Sequence, residues 1–178
     1  MIKFPSFSKK NSAAKRSNEK KEKLNHHFIF IEAPVDLIWP QVMLWGEAGW
    51  WPQTSKMKFI RKIPGDIKVG TQYEQRLQMP FGASWYAEVT KLKANSEIER
   101  TFLNGMFSGY ESVKLESYSN GTRIDYFMHY EICGIFNKIL WLTLFRKLHD
   151  QNIERILNGL KEYVLTKQKE EQEKKFEG

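Results

Sequence analysis

The sequence predicts an α+β domain in which a curved antiparallel sheet of seven strands is closed by one long C-terminal helix. Alternating apolar segments separated by turn sequences predict the strands, and a change to helical periodicity near residue 135 predicts the helix. The chain of 178 residues also contains six Trp, seven Tyr and twelve Phe. Because rings of this size fill or line wide spaces, they favour a cavity between sheet and helix.

The first strand is predicted at residues 26–31. Pro34 then stands where a helix can begin, because proline is tolerated in the first helical turn. Three apolar residues at helical spacing predict a short helix there: Val35, Ile38 and Val42. Residues 45–52 are crowded with tryptophan and end at Pro52, and they predict a second short helix or an ordered loop.

Six further strands are expected to follow as a meander. They are predicted at residues 57–63, 71–78, 84–92, 98–103, 110–118 and 122–132. The strongest turn signals are Asn104-Gly105 and Asn120-Gly121, since both residues of an Asn-Gly pair tolerate positive φ and join neighbouring strands as hairpins. Hairpin connections make the sheet antiparallel.

A long helix is predicted from residue 135 to residue 169. Its apolar residues form one stripe, with the charged residues largely away from it: Phe145, Leu148, Ile153, Ile156, Leu157, Leu160 and Val164. A helix of about 30 residues is about 45 Å long, which is enough to cross a sheet. Burying this stripe against the concave face of the sheet is the simplest way to close the structure.

The positive charge is concentrated in the N-terminal tail. Of the net charge of +7, the first 23 residues carry +6, so the rest of the chain is almost neutral. We therefore predict a disordered basic tail at residues 1–25, a ligand-binding domain at 26–168 and a charged, fraying C-terminus at 169–178. The tail can contact anionic membrane or RNA weakly, and specific nucleic-acid binding is not expected.

Several classes of function are disfavoured by what the sequence lacks. It shows no secretory signal and no apolar segment long enough for a membrane span, which predicts a cytoplasmic protein. No nucleophile elbow, zinc-protease motif or phosphate-binding loop is present, and no cofactor is expected. No metal site is expected either, because Cys133 is the single cysteine and His26 and His27 point to opposite faces of one strand.

The order of elements and four local motifs resemble the START-like superfamily, and most of all its polyketide cyclase/dehydrase and lipid-transport group (SRPBCC proteins). The motifs are Ile38-Trp39 after Ala33-Pro34, Gly70-Thr71-Gln72-Tyr73, Asn120-Gly121-Thr122-Arg123, and residues 144–153 of the terminal helix. The resemblance covers about residues 26–165. It implies the helix-grip fold with a cavity for a hydrophobic ligand, and it does not imply one reaction.

The residues expected to bind the ligand are mostly aromatic: Trp39, Tyr73, Trp85, Tyr126, Met128, Tyr130, Trp141 and Phe145. Alternation in the last strand places Tyr126, Met128 and Tyr130 on the concave face, and Phe136 is expected to meet them from the helix. Large rings with a few hydroxyls suit a ring-bearing or acyl ligand. For any single residue, simple packing in the core is an equal alternative.

Two functions remain open from the sequence. The first is carriage or sensing of a small hydrophobic molecule such as a lipid, quinone or polyketide. The second is a cyclase, aromatase or dehydratase, which requires a titratable pair inside the cavity. Five strand charges are candidates, although most are expected on the solvated convex face: Glu74, Arg76, Glu88, Arg100 and Glu111. His149 and Asp150, adjacent on the helix, are expected to be surface or capping groups.

Overall fold

The alternating segments form seven strands of one sheet in the computed structural model, which describes residues 22–47, 49–78 and 82–176. The strands are β1 (Lys23–Ile31), β2 (Met57–Arg61), β3 (Gln72–Leu77), β4 (Ser84–Lys93), β5 (Glu97–Phe102), β6 (Phe107–Tyr118) and β7 (Gly121–Ile132). The helices are α1 (Val35–Met43), α2 (Ile135–Leu140) and α3 (Arg146–Phe176), with a π-helical turn at Trp141–Phe145 between the last two.

The sheet has the order β1-β7-β6-β5-β4-β3-β2, and every pair of neighbours is antiparallel. Strands β2 to β7 follow one another as a meander, as the turn sequences predict. β1 pairs with β7, with Lys23 opposite Tyr130. The chain between β1 and β2 carries α1, which packs against α3 and β6.

The core lies between the concave face of this sheet and α3. Alternate residues of β7 are buried there, including Tyr126, Met128 and Tyr130. The predicted apolar stripe of the helix faces them, with five of its residues buried: Ile153, Ile156, Leu157, Leu160 and Val164. Helix and sheet therefore close on each other as their two periodicities predict.

The region between β1 and β2 contains one helix, α1, so the ordered loop and not the second helix is the alternative that the structure shows. The described residues of 45–52 form turns, and Gly46 adopts a φ of +83° that ends helical geometry. A β-carbon at Gly46 would lie 2.4 Å from the β-carbon of Phe59, so glycine is also required sterically. The buried indoles of Trp45 and Trp50 pack edge to face in this loop.

The ends of the domain extend further than predicted. β1 begins at Lys23, inside the segment assigned to the basic tail, and α3 continues to Phe176, past the predicted end at residue 169. The remainder of the predicted tail, residues 1–21, lies outside the described residues. Among the helices of the described chain, none combines the length and the apolar character needed to cross a bilayer.

The terminal helix is also less regular than predicted. Trp141 and Phe145, four residues apart in the π-helical turn, point inward, and Trp141 is buried. Phe136, five residues before Trp141, lies on the outer side with 70% of its surface exposed, so its predicted inward position is wrong. α2 has no buried residue at all. Turns of this type occur frequently at functional sites.

A chain of buried polar side chains crosses the concave face from β3 to β7. Trp85 Nε1 donates to Gln75 Oε1 at 2.6 Å, and Gln75 Nε2 donates to Glu111 Oε1 at 2.8 Å. Glu111 also accepts from Tyr126 Oη at 3.0 Å and from Arg100 Nη1 at 3.3 Å. We call these five residues the polar network; each of the five strands contributes one member.

The polar network corrects the expectation that the strand charges lie on the convex face. Arg100 is fully buried and Glu111 is 2% exposed. The Arg100 guanidinium also lies 5.5 Å from the ring centre of Tyr73, within the range of a cation–π contact. Glu74 and Arg76 do lie on the outer face, where they pair with each other.

Removing Glu111 from the Arg100–Glu111 pair should destabilise the fold strongly, and a second substitution that removes Arg100 should restore most of the stability. Glu111→Leu leaves a buried guanidinium without its counter-charge and should lower the free energy of unfolding by about 3–5 kcal/mol. Adding Arg100→Met removes that charge and should restore most of the loss, as measured by urea unfolding. The exposed-pair variant Arg76→Ala is the control and should lose a small fraction as much. A Glu111→Leu loss no greater than the control would contradict the prediction.

Candidate ligand cavity

A small cavity lies between the concave face of the sheet and the start of α3. Its apolar wall comes from five residues of the sheet and three of the terminal helix: Met57, Leu77, Phe102, Phe107, Met128, Trp141, Phe145 and Leu148. Within this wall the ring centre of Phe107 lies 4.8 Å from that of Trp141 and 5.4 Å from that of Trp85. The volume open to the centre of a water-sized sphere is about 30 Å³, room for roughly two waters.

The polar network forms the floor of this cavity. Four of its members line the cavity: Gln75, Trp85, Glu111 and Tyr126. Burial raises the pKa of the Tyr126 phenol well above its ordinary value, and the neighbouring Glu111 carboxylate raises it further. The phenol is therefore protonated at neutral pH and donates its hydrogen bond to Glu111.

The rim of the cavity is polar and comes from the first turns of α3. His149 and Asn152 line it, and Asn152 Oδ1 accepts a hydrogen bond from the backbone N–H of Lys56 at 3.1 Å. The imidazole of His149 lies between two rings, 5.5 Å from Trp141 and 6.1 Å from Tyr126 between centres. His149 is therefore part of the cavity wall and not the surface group that its helical position suggested.

Asp150 contacts His149 and a second imidazole, that of His27 on β1. Asp150 Oδ1 lies 3.6 Å from His149 Nδ1 and 3.4 Å from His27 Nε2, and it accepts a hydrogen bond from Asn25 Nδ2 at 2.6 Å. Contact with His149 is the main cause that lowers the pKa of Asp150 to about 2, with Asn25 adding to it. Burial lowers the pKa of His27, an effect that Asp150 opposes.

Of the eight residues predicted to bind a ligand, the structure brings five to the cavity: Trp85, Tyr126, Met128, Trp141 and Phe145. Tyr130 lies behind the wall and accepts a hydrogen bond from Trp141 Nε1 at 3.0 Å, so it holds Trp141 in place. Tyr73 is buried in the core beside Arg100, and Trp39 is partly buried against the core. The ligand-binding role of all eight stays a prediction.

Sequence reasoning missed Gln75 and His149 as cavity residues, although a local signal pointed to each. Gln75 lies two residues after Tyr73, an expected ligand-binding residue on the same strand, and therefore shares its face of the sheet. His149 follows Phe145 by four residues on the apolar stripe of the helix. Glu111 carried no such local signal, because its position depends on the pairing of β6 with β5 and β7.

No protein-family model matches the chain, and no curated protein sequence matches it. Solved structures do. The protein TTHA0849 from Thermus thermophilus is 19% identical with a TM-score of 0.63, and the match covers 81% of this chain and 98% of that one. A point mutant of norcoclaurine synthase from Thalictrum flavum, in complex with a transition-state analogue, is 15% identical with a TM-score of 0.63, covering 83% and 97%.

An aromatase/cyclase from Streptomyces sp. R1128 is similar as well. It is 11% identical with a TM-score of 0.62, and the match covers 81% of this chain and 94% of that one. Each match spans almost the whole of the other protein's chain, so the similarity includes both the sheet and the terminal helix. Identities this low show the fold and carry no activity across. The chain therefore has the helix-grip fold that its sequence predicts.

Proposed function

We propose that the protein binds a small hydrophobic molecule in the cavity between the sheet and the terminal helix. The observation that carries this proposal is the composition of the cavity, in which apolar walls surround a polar floor. Ligand sites are built in this way, with apolar contacts for affinity and a few polar groups for orientation. Tyr126 and Glu111 at the floor present acceptor oxygens, which favours a ring-bearing or acyl ligand with a hydroxyl group at one end.

The size of the cavity requires that a ligand displaces part of its wall. About 30 Å³ is far below the roughly 300–1,000 Å³ of a typical ligand pocket. We call α2 and the π-helical turn the roof. α2 has no buried residue, and the π-helical turn has one, Trp141. Few contacts therefore resist the opening of the roof. The norcoclaurine synthase structure, which contains a transition-state analogue, supports a small-molecule site in this fold.

Filling the cavity should weaken ligand binding without unfolding the domain. Leu148 lines the cavity and is only partly buried. The larger side chain of Leu148→Trp should therefore fill part of the cavity without disrupting α3. We expect binding of the fluorescent probe anilinonaphthalene sulfonate to weaken at least about tenfold, which corresponds to 1.4 kcal/mol. Apolar molecules recovered by organic extraction of the purified protein should decrease in parallel.

The matched control is Leu103→Trp, at an exposed position outside both the cavity and the roof. It should bind the probe like the unmodified protein, and circular dichroism should show both variants folded. Equal binding by the two variants would place the probe elsewhere on the surface. Recovery of no apolar molecule from the unmodified protein, together with no probe binding, would reject the proposal.

A second candidate function is a cyclase or dehydratase that uses the same cavity. The observation that favours it is the set of titratable groups in the lining, namely Glu111, Tyr126 and His149. In such a reaction, His149 takes a proton from the carbon between two carbonyl groups of one chain. The resulting enolate carbon attacks a distant carbonyl carbon and closes the ring, and the new alkoxide takes a proton from Tyr126. The His149 imidazolium then protonates the new hydroxyl, which leaves as water, while the Tyr126 phenolate takes the remaining α-proton. A C=C bond forms and both side chains return to their starting states.

If the second candidate is correct, substitutions of the acid–base groups should lower turnover and leave ligand binding almost unchanged. With a poly-β-keto thioester as substrate, Tyr126→Phe and His149→Gln should each lower turnover at least about 100-fold and leave probe binding within about threefold. Product formation is measured as loss of water by mass spectrometry. His129→Gln, on the outer face of β7 against Tyr110, is the control and should retain full activity. Lack of turnover by the unmodified protein would reject this candidate and leave the binding proposal intact.

A further inference from the structure

Three potential metal ligands from distant parts of the sequence meet beside the cavity. His27 belongs to β1, and His149 and Asp150 belong to the first turn of α3. One ligand atom of each, two imidazole nitrogens and a carboxylate oxygen, lies within 4.8 Å of the other two. Asp150 Oδ1 is the centre of the cluster, at 3.4 Å from His27 Nε2 and 3.6 Å from His149 Nδ1.

Neither imidazole nitrogen is satisfied within the described chain. His27 Nε2 and His149 Nδ1 are both buried and have no hydrogen-bond partner among the described residues. Each nitrogen lies at ion-pair distance from Asp150 Oδ1, 3.4 Å and 3.6 Å, without forming a hydrogen bond to it. Buried polar atoms nearly always have a partner. Two unpartnered nitrogens beside one carboxylate oxygen leave a place for a cation that all three atoms can bind.

The spacing fits tetrahedral coordination. With metal–ligand bonds of about 2.0–2.2 Å, two ligand atoms of a tetrahedral site lie roughly 3.3–3.5 Å apart. The two distances from Asp150 Oδ1 are close to this value, and the two nitrogens lie within 4.8 Å of each other. We propose that His27, His149 and Asp150 form a binding site for a borderline divalent transition-metal ion, with Zn²⁺ as the reference ion.

The surroundings hold these ligands in place. Asn25, two residues before His27 on the same face of β1, donates from Nδ2 to the ligating oxygen of Asp150 at 2.6 Å. The rings of Trp141 and Tyr126 flank the imidazole of His149 and limit its rotation. Outer contacts of this kind orient ligands and raise metal affinity.

Three protein ligands leave a fourth position for water or for an oxygen of a small molecule, the pattern of metal sites that react or exchange ligands. His149 also lines the cavity, so the ion lies at the cavity rim. The metal site does not depend on the proposed function, since an ion can bind these three ligands whether or not an apolar molecule enters.

The test is a titration of the chelator-treated full chain with Zn²⁺ by isothermal calorimetry, with Co²⁺ absorbance as a probe of coordination. We expect one ion per chain and a Co²⁺ spectrum of four-coordinate type. His27→Gln and Asp150→Asn should each weaken Zn²⁺ binding at least about 100-fold, or 2.8 kcal/mol. His26→Gln is the matched control, since His26 lies on the opposite face of the same strand, paired with Asp125 at 2.6 Å.

A thermal measurement separates loss of the site from loss of the fold. Zn²⁺ should raise the melting temperature of the unmodified protein and of His26→Gln, because an ion that binds only the folded state stabilises it. It should not raise that of His27→Gln, whose melting temperature in chelator should stay close to that of the unmodified protein. Equal affinities of His26→Gln and His27→Gln, or less than one ion per chain, would overturn the proposal.

Discussion

The buried positive charge of Arg100 determines how the concave face of the sheet is built. Moving a guanidinium out of water costs several kcal/mol unless a counter-charge and hydrogen bonds compensate it. Glu111, directly opposite on β6, supplies the charge, and its two oxygens then require donors of their own. Gln75 and Tyr126 provide them from β3 and β7. One buried charge thereby links side chains from four strands, β3, β5, β6 and β7, across the concave face.

The cavity has a rigid floor and a weakly held roof as a consequence. The floor is a connected set of hydrogen bonds between strands, whereas the roof is held mainly through Trp141. That indole donates to Tyr130 and packs its ring on Phe107. Opening the roof therefore breaks one hydrogen bond and one aromatic cluster without disturbing the sheet. Segments with few buried contacts open at low free-energy cost, and ligand entry occurs through such segments.

Local sequence patterns predicted the architecture, whereas the burial of individual charged residues depends on strand pairing between distant parts of the sequence. Strand alternation, Asn-Gly turns and the stripe of α3 are local signals, so the sheet order and the helix position could be predicted. A charged residue on a strand predicts a solvent-exposed position, however. Only the pairing of β5 with β6 shows that Arg100 lies opposite Glu111 on the buried face. The pattern at residues 45–52 left a helix and a loop open, and in the described part of this segment the positive φ of Gly46 ends helical geometry.

His149 connects the cavity to the candidate metal site, and this connection constrains both. Its Nδ1 points toward Asp150 and His27, while its ring forms part of the cavity wall. A metal ion on Nδ1 would hold the imidazole in one orientation and compete with protons for it, because metal ligands must be unprotonated. An imidazole bound to metal is a poor general base. Metal occupancy of this site therefore favours the binding function of the cavity, and the acid–base chemistry of a cyclase belongs to the metal-free state.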